Sequence, residues 1–134
     1  MFLNQLNDTE KELFIQLCNQ AVMADDVLEV DEMESIAFMC HEMMIPNSTP
    51  DEELPVDSIL AQLNLIASKH QKNIMAIELI ILLKRNGFLD ETEINFLDNI
   101  KKKLEISDEK FKHLDSLANI YISVKNEITD AIEN

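Results

Sequence analysis

The chain predicts an all-α fold, a compact orthogonal bundle of six or seven helices, and three observations carry that expectation. Glycine occurs once and proline three times in 134 residues, too few for the tight turns that β-hairpins need. Hydrophobic residues make up 46% of the chain but aromatics only 5%, and the Leu, Ile and Met that dominate favour helix over strand. Apolar residues recur at three- and four-residue spacing in stretches opened by Asn, Asp, Ser or Thr, the residues that cap helix N-termini. The length suits one domain, residues 1–134, with a core of its own.

The first helix is expected from about residue 8 to 24. Asn7-Asp8-Thr9-Glu10 offers capping chemistry, Thr9 and Glu12 stand at capping-box spacing, and Leu13, Phe14, Leu17, Cys18, Ala21 and Ala24 share a face. A second helix, about Asp31 to Ile45, puts Met33, Ile36, Ala37, Cys40, Met43 and Met44 on one face, and Pro46 stops it. Asn47 to Leu54 reads as a polar loop. Pro55 suits the first turn of a third helix, whose buried face is Val56, Ile59, Leu60, Leu63, Ile66 and Ala67.

Lys69-His70-Gln71-Lys72 reads as a break before a fourth helix, roughly 73–85. That helix is apolar nearly all round and should therefore be central; Gly87 is placed to end it. Asp90 and Glu93 stand at capping-box spacing and open a helix through Ile94, Leu97, Ile100 and Leu104. Ser107 caps the last helical stretch, where Leu114, Leu117, Ile120, Tyr121, Val124, Ile128 and Ile132 form the apolar face. Residues 108–132 read equally as one helix or two.

The formal net charge is −15, and it is lopsided. Residues 1–68 carry fourteen acids and one base, Lys11, for −13; residues 69–134 carry twelve acids and ten bases, for −2. Such an excess repels phosphate backbones and anionic lipid, so neither nucleic-acid binding nor membrane docking is expected. The longest apolar run, Ile74 to Leu83, is interrupted by Glu78 and too short to span a bilayer, so no membrane insertion is expected. No basic region followed by a hydrophobic stretch opens the chain, which reads as cytoplasmic and without a signal peptide. Cys18 and Cys40 fall on apolar stripes and read as buried free thiols of a reducing compartment.

The densest chemistry lies between the first two helices. Asp25, Asp26, Glu29, Asp31, Glu32 and Glu34 fall within ten residues with no Lys or Arg among them. Three readings are open: a solvated acidic face set on helix amides, a basic protein partner, or a hard divalent cation such as Ca²⁺ or Mg²⁺ held by Asp25, Asp26, Glu29 and Glu32. An EF-hand is excluded by register, because counting from Asp25 its glycine position is Val30 and its bidentate position Ile36. Without that cage any affinity should be on the order of 10⁻⁴–10⁻³ M.

Shifting the chain by 61 residues overlays this turn on a second one. Asp25-Asp26-Val27-Leu28-Glu29 to Glu32 falls on Asn86-Gly87-Phe88-Leu89-Asp90 to Glu93, Ile36 meets Leu97, and Ile45 meets Ile106. Two pseudo-repeated helix–turn–helix units are therefore expected. Ala24-Asp25-Asp26-Val27-Leu28-Glu29-Val30-Asp31-Glu32 resembles the Ala-Asp-Gly-x-(Val/Leu)-x-x-x-Glu turn of the TerB-like family, related to the tellurite-resistance protein TerB. Asn86 through Leu97, with Leu104-Glu105-Ile106-Ser107 and Phe111, resembles that family's second turn, so the likeness covers roughly residues 10–120.

The resemblance implies a helical bundle with pseudo-twofold halves, an acidic surface proposed to bind metal and a stress-related role. Two departures stand out: Asp26 replaces the glycine of the first turn, and Asn86 replaces the aspartate of the second. The second departure weakens Asn86, Asp90 and Glu93 as a matching metal site, and capping alone accounts for Asp90 and Glu93.

Glu78 reads as a narrow solvent-facing strip; buried, it would need a partner or a raised pKa. Lys101, Lys102 and Lys103 read as an exposed face, or as one that meets the acidic half of a second subunit. His41, His70 and His113 have no spacing that suggests catalysis. Met33, Met39, Met43 and Met44 fill core or line an adaptable docking groove. No nucleophile–base pair or phosphate loop is visible, so the chain reads as non-enzymatic. Its function is expected to be weak cation binding in a TerB-like stress setting or, alternatively, docking of a basic partner or a second copy as a homodimer.

Overall fold

Local capping chemistry sets most of the helix boundaries. In the computed structural model, which describes residues 1–23, 30–47, 54–85 and 87–134, the chain is all-helical, with no strand among the described residues. A 3₁₀ turn, Leu3–Gln5, precedes α1 (Asp8–Val22), α2 (Val30–Met43), α3 (Val56–Ile66), α4 (Lys69–Lys84), α5 (Glu91–Lys103) and α6 (Asp108–Glu133). None of these helices is long and apolar enough to cross a membrane.

Three helices start with reciprocal capping boxes. Asp90 and Glu93 close the one that the spacing predicts, the Glu93 amide donating to Asp90 Oδ1 at 2.8 Å and the Asp90 amide to Glu93 Oε1 at 3.1 Å. At α1 the box is Asn7 with Glu10, two residues before the expected Thr9 and Glu12. At α4 it is Ser68 with Gln71. The Lys69–Lys72 stretch is therefore the first turn of α4 and not a break, and only Ala67 and Ser68 separate α4 from α3. Pro55 stands at the N-cap of α3, one residue before its first turn. Ser107 caps α6, which runs unbroken and so decides between one helix and two.

Helix ends are equally local. α2 stops before Pro46, at Met44, whose φ of +58° is left-handed. The Ile45 amide then donates to the Cys40 carbonyl at 3.0 Å and the Met44 amide to that of His41 at 3.1 Å, the Schellman pattern. Glu105, 61 residues later, repeats it after α5 with a φ of +57°, Ile106 bonding back to Lys101 and Glu105 to Lys102. Gly87, at φ +120°, donates to the Lys84 carbonyl and ends the α4 region as expected.

The core gathers Phe14, Leu17 and Cys18 of α1, Ile59, Leu60 and Leu63 of α3, and most of α4. As its all-round apolarity predicts, α4 is the hub, packing against α1, α5, α6 and the 3₁₀ turn. The opening residues are part of this core, because Leu3 and Leu6 are buried. Cys18 and Cys40 are both buried and free, and burial pushes both thiols up, Cys18 well above the ordinary range.

Two expected faces are corrected. On α2 the buried set is Ile36, Met39, Cys40 and Met43, whereas Met33, Ala37 and Met44 are exposed. Met44 points outward because it lies beyond the helix in the left-handed cap. On α6 only Leu114 and Ala118 are buried; Leu117, Ile120, Val124, Ile128 and Ile132 are exposed. Ile66 of α3 and Ile94 of α5 are exposed too.

Candidate functional site

Glu78 is buried, at 6% exposure, and is not the solvent-facing strip expected from sequence. Its Oε1 accepts from the Met1 α-ammonium at 2.6 Å and from the Phe2 amide at 3.3 Å. Glu42 of α2 reaches the same ammonium at 3.1 Å and accepts from the Leu3 amide at 3.3 Å. The chain opening thus ties α2 to α4. Burial alone would lower the amine's pKa, but the two carboxylates outweigh it and hold it above its ordinary value.

Above this pair a cleft of about 670 Å³ opens between α2, α4 and α6. Phe38 and Met39 form its α2 wall, Ile81 and Leu82 its floor on α4, and Tyr121 and Lys125 its α6 wall. Phe38 is 69% exposed. It lies two residues from Ile36, about 200° around the helix from the buried stripe, which explains why a large apolar group stands outward.

Along α6 the apolar residues continue past the cleft. Leu114, Leu117, Tyr121, Val124, Ile128 and Ala131 follow one another at alternating three- and four-residue steps, the spacing of a coiled-coil seam. Leu114 is covered by the core, but Val124 is 47% and Ile128 54% exposed. Lys84 of α4 fixes the near half of the helix, with Asp115 Oδ1 at 2.5 Å and Asn119 Oδ1 at 3.1 Å. Lys125 sits 6.0 Å from the centroid of the Tyr121 ring.

The predicted acidic site is placed only in part. Asp25, Asp26, Glu29 and Asn86 lie outside the described residues, as do Ala24 and Leu28. Glu32 lies in the first turns of α2, while Asp90 and Glu93 bond to each other's backbone at the start of α5, the capping role expected of them. Among the described residues no group of three or more His, Cys, Asp or Glu is arranged to hold a metal ion. His41, His70 and His113 are all exposed, and His70 bonds Gln5 at 2.7 Å. Lys102 and Lys103 are exposed, while Lys101 pairs with Asp108 at 2.8 Å. That hydrogen bond holds the Lys101 ammonium above and the Asp108 carboxyl below their ordinary ranges.

Sequence reasoning missed Phe38, Glu42 and the outward half of α6 as parts of one surface. Phe38 carried a legible signal, being a large apolar residue on the polar side of its helix. Glu42 and the chain opening carried none, since only the fold brings residues 1 and 42 together. Comparison of the chain with protein-family models, with curated proteins and with solved structures gives no match.

Proposed function

We propose that this chain is a non-enzymatic protein-docking domain that receives its partner in the cleft between α2, α4 and α6. The observation that carries this reading is the exposed Phe38 on the wall of that cleft, with the exposed Val124 and Ile128 on α6, each three residues from a lining residue, Tyr121 and Lys125. Scattered apolar residues on a surface are ordinary, whereas a contiguous set beside a cleft marks an interaction site. Glu42 and Glu78 are engaged by the chain's own amine, an arrangement suited to structure more than to proton transfer.

The matching left-handed ends of α2 and α5, 61 residues apart, support reading the six helices as an orthogonal bundle of two helix–turn–helix units. The TerB-like likeness adds a stress-response setting, and the two buried thiols suit a cytoplasmic one.

Peptides selected from a random displayed library against the folded domain test the docking reading. Phe38→Asp with Val124→Asp should weaken them at least about tenfold, or about 1.4 kcal/mol, while helix content by circular dichroism stays unchanged. Binders indifferent to that pair of substitutions would place docking elsewhere.

A second reading rests on the six crowded carboxylates of residues 25–34: weak Ca²⁺ or Mg²⁺ binding through Asp25, Asp26, Glu29 and Glu32. Amide shifts confined to 25–34 should then appear in an NMR titration at about millimolar ion. A flat titration removes the cation.

A further inference from the structure

Three successive backbone nitrogens converge on two carboxylates. The Met1 ammonium meets Glu78 Oε1 at 2.6 Å and Glu42 Oε1 at 3.1 Å. The Phe2 amide donates to Glu78 and the Leu3 amide to Glu42, both at 3.3 Å. We propose that Met1 and Phe2 form a latch in the wall of the cleft that closes only on a free α-amine, and that acylation of that nitrogen opens it. The latch belongs to the chain by itself and stands whether or not a partner docks.

Burial divides the opening segment into an anchor and a movable end. Leu3 and Leu6 are buried, at 0% and 3% exposure, whereas Met1 and Phe2 are 48% and 47% exposed. The hydrophobic effect therefore fixes the 3₁₀ turn and does less for the two residues before it. Charge holds those two. Hydrogen bonds to ionised groups are roughly twice as strong as neutral ones, and the Glu78 and Glu42 side chains are only 8% and 19% exposed.

Acylation removes that charge. With an acyl thioester as donor, the nitrogen bonds to the acyl carbon, the carbon–sulfur bond breaks, and the thiolate takes up the proton that the nitrogen gives up. The amide that results keeps one N–H where the ammonium had three. One neutral donor cannot replace a cation shared by two carboxylates, and a buried carboxylate stripped of its counter-charge is costly. Moving Met1 outward lets water reach both.

The latch sets the charge of the cleft as well as its width, because Met1, Glu42 and Glu78 all line it. Closed, the lining balances Glu34, Glu42 and Glu78 with the Met1 ammonium, Arg85 and Lys125. Opened by acylation, the same three acids face only Arg85 and Lys125.

Three forms of the full chain test this, with a free, an acetylated and a monomethylated α-amine, each confirmed by intact mass. Monomethylation keeps the charge and two N–H donors, one for each carboxylate, and so separates charge from added bulk. Acetylation should lower the backbone order parameter at Phe2 from about 0.85 to below about 0.6. It should also shift the methyls of Met39, Ile81 and Leu82 while those of Ile59 and Leu63, and the helix content, stay unchanged. The monomethyl chain should match the free amine.

A Phe2 that stays rigid on acetylation overturns the latch, since backbone contacts would then hold the segment without the charge. A monomethyl chain as mobile as the acetylated one overturns it by assigning the release to bulk. A Phe2 already mobile with the free amine leaves nothing to open. Loss of helix content on acetylation also overturns the proposal, because the amine would then support the core and not a movable end.

Discussion

Leu79→Ala is expected to lower the unfolding free energy by about 2–5 kcal/mol in urea denaturation, whereas Ile128→Ala should change it by about 0.5 kcal/mol or less. Leu79 is fully buried on α4, the helix that touches α1, α5, α6 and the 3₁₀ turn. Removing its branched end leaves a cavity walled by several elements, and no single neighbour can collapse to fill it. Because a domain of this size is stable by only about 5–15 kcal/mol, that loss is a large share of the total. Ile128 leaves water far less on folding, so its truncation removes little transfer free energy. Comparable losses at both sites would put the far half of α6 in the core, against the exposure of Ile128.

The contrast between these two residues shows what periodicity can and cannot convey. Spacing grouped the apolar residues of α6 on one side, because residues three and four apart share a side of any helix. What covers that side depends on how far the neighbouring helices extend, and nothing local records it. The same limit explains α2, where an apolar stripe can be drawn through Met33, Ile36, Ala37, Cys40, Met43 and Met44 or through Ile36, Met39, Cys40 and Met43. Only packing chooses between them.

Capping was legible at Asp90 and Ser107 because the partners are three residues apart. Ser68 and Gln71 have the same spacing, but the polar stretch Lys69–Lys72 disguised a first turn as a linker. At the candidate site, Tyr121, Val124 and Ile128 were visible as apolar, whereas Phe38 went unremarked. The convergence of Phe38 and Tyr121 with Ile81 and Leu82 needed the tertiary fold.

Glu78 is where sequence reasoning weighed two outcomes and favoured the wrong one, and it supports the second large prediction. Glu78→Gln should cost about 1–2 kcal/mol near pH 7. The buried carboxylate loses its charge-assisted bond to the Met1 ammonium, but the amine side is 38% exposed, so solvent screens the pair and the figure lies below that for a fully buried one. The sign with pH follows from the raised pKa of the amine. Its contribution is fully present below the unfolded value, about 8, and is lost as pH climbs through the higher folded value.

Cys18 and Cys40 also lose stability for the fold in that range, because unfolded thiols ionise before buried ones. Burial, the larger cause of both shifts, remains in Glu78→Gln; the part of the Cys18 shift that the Glu78 charge adds is lost with it, which narrows the gap in the same direction. The gap between wild type and Glu78→Gln, measured by urea denaturation at pH 7 and again near pH 10, should therefore shrink. A gap that stays constant would show that Glu78 acts through its hydrogen bond to the Phe2 amide and not through the ammonium.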